Sequence, residues 1–106
     1  MRENAKTPMS AQAELDRLRD AHRRRALAVV CELLRDDLSL TRGRLLLRLR
    51  TGMRNSEWFE YETNVNRAAE VIVDHALRIT AEHGFVPSSM LDLAISSADF
   101  SALRIR

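Results

Sequence analysis

Seven arginines, Arg17, Arg24, Arg25, Arg44, Arg48, Arg50 and Arg54, are the residues best equipped to act on another molecule. Each carries a permanent charge and a planar fork of donors that fits a carboxylate or a phosphate. They all fall in a first half that is strongly basic: residues 1–56 hold thirteen Lys or Arg against seven Asp or Glu, whereas residues 57–106 hold four against eight. The formal net charge of +2 conceals this asymmetry. A basic half can meet an acidic protein surface, neutralise the phosphates of a nucleic acid, or be balanced by its own acidic half. Sixteen of the seventeen basic residues are arginine, a bias that a GC-rich genome also produces, so the preference for Arg over Lys decides nothing.

Other chemistry has little to stand on. His22, His75 and His83 include no pair at the three- or four-residue spacing that would put two imidazoles on one metal, so no metal centre is expected. His75 and His83 lie on or beside an apolar stripe and read as packed residues. Glu70 and Asp74 share a helical face, but it is the watery one, and paired acid-base chemistry needs a secluded pocket that pulls two pKa values apart. Cys31 stands on the flank of an apolar helix face and reads as a packing residue. No glycine-rich phosphate loop, nucleophile elbow or spaced ligand set occurs. Neither catalysis nor a cofactor is expected.

A nucleic-acid reading can be built on Leu47, Met53, Trp58 and Tyr61 as the apolar markers of a helix-turn-helix, with Gly52 in the turn and a reading helix from Ser56. Arg48 stands where a small residue lets such helices meet. Glu57, Glu60 and Glu62 would repel phosphate from the reading helix.

The elements that position these residues are read from hydrophobic spacing. A composition of 45% hydrophobic and 30% charged residues with only three glycines and two prolines fits a compact helical protein. The longest apolar run, Ala26–Cys31, is far too short to cross a membrane. A first helix is predicted over 10–37 with Ser10 as N-cap. Its second half packs Ala26, Leu27, Val30, Leu33 and Leu34, widened by Val29 and Cys31, and its first half, where Arg19 and Arg23 continue that face, is expected to project beyond the core. Between Gly43 and Gly52 the pattern fits a short strand or a helix. We favour the helix, because leucine and arginine are helix formers and Arg42, Leu45, Leu46, Leu49 and Met53 then share one side, opposite Arg44 and Arg48.

A second long helix is predicted over 56–83, capped by Ser56 and ended by Gly84. Its stripe runs through Trp58, Tyr61, Val65, Ala68, Ala69, Ile72, Ala76 and Ile79, and Phe59, Asn66, Val73 and Leu77 form a thinner line on the opposite flank. A short helix begins near Ser89 and Asp92 and buries Leu91, Ala94, Ile95 and Ala98. Phe100, Leu103 and Ile105 also ask for burial, in no assigned conformation.

The expected fold class is therefore all-α, a small helical bundle built on two long helices with shorter helices between and after them. Residues 1–9 are expected as a flexible tail and 10–106 as a single helical domain. Two helices of about 42 Å exceed the roughly 26 Å breadth of a compact chain this long, which argues for an elongated monomer or a homodimer sharing its apolar stripes. The lone cysteine and the absence of a secretory signal point to the cytoplasm. The functional expectation is a binding module whose seven arginines occlude an acidic surface of a partner protein, as a small inhibitor or regulator. The alternative is a DNA- or RNA-binding regulator using the same arginines.

Overall fold

The computed structural model describes residues 11–37, 39–53, 62–83 and 88–103, with backbone alone at 52, 53, 83 and 88–90. It is an all-α bundle of four helices: α1 (Ala11–Asp36), α2 (Arg42–Met53), α3 (Val65–His83) and α4 (Ser88–Ser96), followed by a 3₁₀ turn at Ser101–Leu103. The long helices α1 and α3 pack on each other, α2 lies chiefly on α3, and α4 closes over α1. The molecule is elongated, with extents of 58 × 28 × 22 Å and a radius of gyration of 15.6 Å, against about 13 Å for a compact chain of this length. No described helix is long and apolar enough to cross a membrane.

The second half of α1 behaves as its spacing requires: Ala26, Leu27, Val30, Cys31 and Leu34 are buried, with Leu33 partly so. Val29, expected to widen this face, points outward instead. The amide of Asp37 bonds the carbonyl of Leu33 at 3.0 Å, and the Asp37 carboxylate then accepts the amide and hydroxyl of Ser39 at 3.0 and 2.6 Å, turning the chain out of the helix. Leu40 is buried in the turn, and Thr41 caps α2 by accepting the amide of Arg44 on its hydroxyl at 3.2 Å. The 44–50 segment is helical. A strand would bury Leu45, Leu47 and Leu49 together, whereas Leu45, Leu46 and Leu49 are buried and Leu47 is 64% exposed.

The long helix predicted over 56–83 is corrected by the structure. Glu62, Thr63 and Asn64 are not helical, and α3 starts at Val65. Its N-cap is Asn64, whose side-chain oxygen accepts the amide of Arg67 at 3.0 Å while its carbonyl accepts that of Ala68 at 3.0 Å. Within α3, Ala68, Ala69, Ile72, Val73, Ala76 and Ile79 are buried, so both predicted flanks find partners inside one chain. Of the second flank, Asn66 is exposed. The predicted cap Ser56, the aromatics Trp58, Phe59 and Tyr61, the terminator Gly84, the tail 1–9 with Ser10, and Ile105 lie outside the described residues.

The first half of α1 projects in part as expected: no residue of 11–19 is buried, whereas Asp20 and Arg23, nearer the middle of the helix, are drawn inward. Arg23 is buried, its side chain only 3% exposed, and it lies between two carboxylates. Its Nε and Nη2 donate to the two oxygens of Glu62, each at 2.7 Å, and Nη1 donates to Asp20 at 2.9 Å. The Glu62 side chain is 4% exposed. Burial disfavours the charge on Arg23, but the hydrogen bonds and charge of Glu62, and then of Asp20, outweigh it and hold the guanidinium above its ordinary pKa. The backbone at Glu62 is non-helical, its carboxylate reaches back to α1, and the helix begins three residues later, at Val65.

At the far end, Phe100 is buried against α3. Nε2 of His75 lies 2.8 Å from the carbonyl oxygen of Asp99, which makes that nitrogen the protonated one, and the His75 ring meets Phe100 edge-on at 5.3 Å.

Removing one member of a buried ion group strands the others, so Arg23→Met is expected to lower unfolding free energy by about 3–5 kcal/mol in urea melts. Arg42→Met, which breaks the half-exposed pair with Asp74, should hardly move the midpoint. Equal losses would deny the buried group its special weight.

Candidate functional site

The outer side of α2 is the place where the sequence-predicted arginines form a surface. Helical geometry turns Leu45, Leu46 and Leu49 inward, and the opposite arc carries Arg44, Leu47, Arg48, Arg50 and Thr51, all exposed. Arg44 and Arg48 stand four residues apart on one side of Leu47, and Arg50 stands on the other. None of the three forms an ion pair among the described residues. The nearest acidic influence is Asp37, whose carboxyl is held below its ordinary pKa first by hydrogen bonds from Ser39 and only then by the fields of Arg48 and Arg44. The face is thus a two-turn basic strip around a leucine.

The other arginines are placed differently. Arg17 is bound locally, its Nε and Nη2 donating to Glu14 at 2.8 to 3.0 Å. Arg24 is half-buried and lines an open groove of about 300 Å³ with Ala13, Asp16, Arg17 and Asp20; its Nε is buried with no hydrogen-bond partner among the described residues. Arg25 is exposed on α1. Nothing described joins these three to the α2 strip. Arg54 lies outside the described residues.

Arg42 shows what distinguishes the strip. It sits at the edge of the inward side of α2 and donates to Asp74 of α3 at 2.8 and 3.3 Å, which holds the Asp74 carboxyl below its usual range. Asp74, expected as a solvating charge, therefore joins α2 to α3. Three of the acids of the second half are engaged in this way, Glu62 with Arg23, Asp74 with Arg42, and Glu70 with Arg67 at 3.6 Å. The arginines of the strip receive none of them.

Other chemistry is not assembled. Burial pushes the Cys31 thiol up to about 11, so almost no thiolate exists at neutral pH. Among the described residues no cluster of three or more His, Cys, Asp or Glu could hold a metal ion. A cleft of about 300 Å³ between α3 and α4 is lined by His75, Arg78, Glu82 and Asp99 among others, with the imidazole already bonded to the Asp99 carbonyl. The described residues do not match the helix-turn-helix reading, most of whose turn and reading helix, 54–61, lies outside them. Gly52 lies inside α2, which continues through Met53, and residues 62–64, which would belong to the reading helix, are not helical.

Two features of this surface escaped the sequence reading. The exposure of Leu47 was hidden because strand and helix register assign it opposite sides. The burial of Arg23 had a visible signal, since a charge on the apolar face of α1 needs a carboxylate to meet it.

Leu45→Ala is expected to cost about 2–5 kcal/mol of stability, as a fully buried leucine should. Leu47→Ala should leave the urea midpoint unchanged, and a large loss there would show that this side of α2 is not the outer one. Comparison with protein-family models, curated proteins and solved structures yields no match for this chain.

Proposed function

We propose that the chain acts by binding rather than by catalysis, and that the outer side of α2 docks on an acidic surface of a partner protein and covers it, as a small inhibitor or regulator does. The observation that carries this reading is the set of arginines Arg44, Arg48 and Arg50, which form no ion pair among the described residues, around the exposed Leu47. An apolar anchor ringed by cations suits a protein interface, where a desolvated side chain fills a pocket and the surrounding charges steer and orient the encounter. A phosphate backbone offers such a leucine nothing to pack against, which places the nucleic-acid reading second. Arg17, Arg24 and Arg25 enter this reading as a more distant basic field along α1.

A homodimer belongs to the proposal on changed grounds. The stripe of α3 is covered within the chain from Ala68 to Ile79, so the surface we assign to a second copy is the outer strip of α1 bearing Leu18 and Val29, with Val65 and Leu93 also exposed elsewhere. The single thiol suits a reducing compartment, and the encounter is placed in the cytoplasm.

A capture experiment from nuclease-treated lysate, comparing wild type with Arg44→Glu/Arg48→Glu, tests the reading. The expected result is an acidic protein that is retained after nuclease and binds the purified wild type but not the double variant, whose melting temperature stays near that of wild type. Recovery of nucleic acid alone, lost on nuclease treatment, would transfer the role to the regulator alternative. Equal capture by both proteins would remove the α2 strip from the function.

A further inference from the structure

We infer that the segment docking on α2 is itself an acidic α-helix, seated along the row Gly43, Leu47 and Thr51 with its carboxylates reaching Arg44 and Arg48 on one edge and Arg50 on the other; this rests on the reading above. The three row residues are spaced by four, which aligns them as one of the ridges by which helices interlock. Leu47 stands at the middle with 64% of its surface exposed, and the residues at the two ends of the row are small.

Gly43 is the informative member. It is the second residue of α2, in the first turn, and a methyl group added there would meet nothing within 4 Å. Glycine weakens a helix relative to alanine, because its backbone loses more freedom on ordering. No contact within the described chain asks for the missing side chain, while the position borders the exposed leucine. A bare backbone beside an apolar anchor allows a second backbone to come close, and helices approach most closely where the residues at their contact are smallest. A partner helix with an apolar row flanked by acids on both edges matches all three elements of the strip, in the manner of the charged positions that border a coiled-coil seam.

The test uses a hydrocarbon-stapled helical peptide with a leucine row flanked by glutamates, a proline-interrupted peptide of the same composition, and a short DNA duplex. Binding is read by fluorescence anisotropy for wild type, Gly43→Ala, Gly43→Gln and Arg44→Glu/Arg48→Glu. The expected result is preference for the stapled helix, loss with the arginine reversal, and affinity about tenfold weaker for Gly43→Gln. Gly43→Ala should raise the melting temperature by a few degrees while weakening the same binding, which separates the interface from the fold. Failure to bind the stapled helix, or arginine-dependent binding that ignores both helicity and residue 43, overturns the helical occupant and leaves docking on an acidic protein surface standing. Peptide binding unaffected by the arginine reversal overturns the α2 strip as the docking surface. Arginine-dependent binding of the duplex above both peptides overturns both readings in favour of nucleic acid.

Discussion

The buried contact of Arg23 with Asp20 and Glu62 is the constraint around which the two long helices are arranged. An apolar stripe slides by a turn at small cost, because one leucine replaces another, but a guanidinium withdrawn from water must meet its carboxylates wherever they are. The two-point grip of Arg23 on Glu62 fixes the chain thirty-nine residues further on against the middle of α1. It also holds Glu62 out of helical conformation, so that Asn64 becomes the cap and α3 is 19 residues long. Below the contact, Ala26, Leu27 and Val30 of α1 and Ala69, Ile72 and Ala76 of α3 form the apolar core.

With that pair in place, α2 has one way to bury Leu45, Leu46 and Leu49, and the opposite side necessarily faces outward. The ion pair from Arg42 to Asp74 lies at the border between the two sides. How the acids of the second half are distributed matters as much as how many there are. Glu62, Asp74 and Glu70 are engaged by Arg23, Arg42 and Arg67, so the long-range balance between a basic and an acidic half does not extend to Arg44, Arg48 and Arg50. A chain that is nearly neutral overall thereby keeps a concentrated basic strip, with a leucine that its own fold leaves uncovered.

Each arginine of the strip is exposed to solvent and carries a planar fork of donors that fits a carboxylate or a phosphate. The single cysteine, Cys31, is kept as a thiol by the same burial that makes it a good packing residue.

Most of the helical plan was legible in the sequence, because helix spacing is a local property and each amphipathic segment repeats its signal over several turns. Ala26 to Leu34 and Ala68 to Ile79 could be assigned to the core from their periods alone, whereas Leu45, Leu46 and Leu49 also needed the helix propensity of leucine and arginine to exclude a strand. Arg44 and Arg48 could be set opposite Leu45 and Leu49 once the segment was taken as a helix. What tertiary structure decided was pairing. Glu62 looked like one more solvated acid on a continuing helix until Arg23, on another helix, drew it inward, and no local pattern announces a partner so far along the chain. For the same reason Asp74 was legible as charged but not as bound to Arg42, and nothing local showed that Arg44, Arg48 and Arg50 form no ion pair among the described residues. Spacing settles which side of a helix a residue occupies. Which charge meets which depends on how the helices cross, and that is fixed by contacts made across the whole chain.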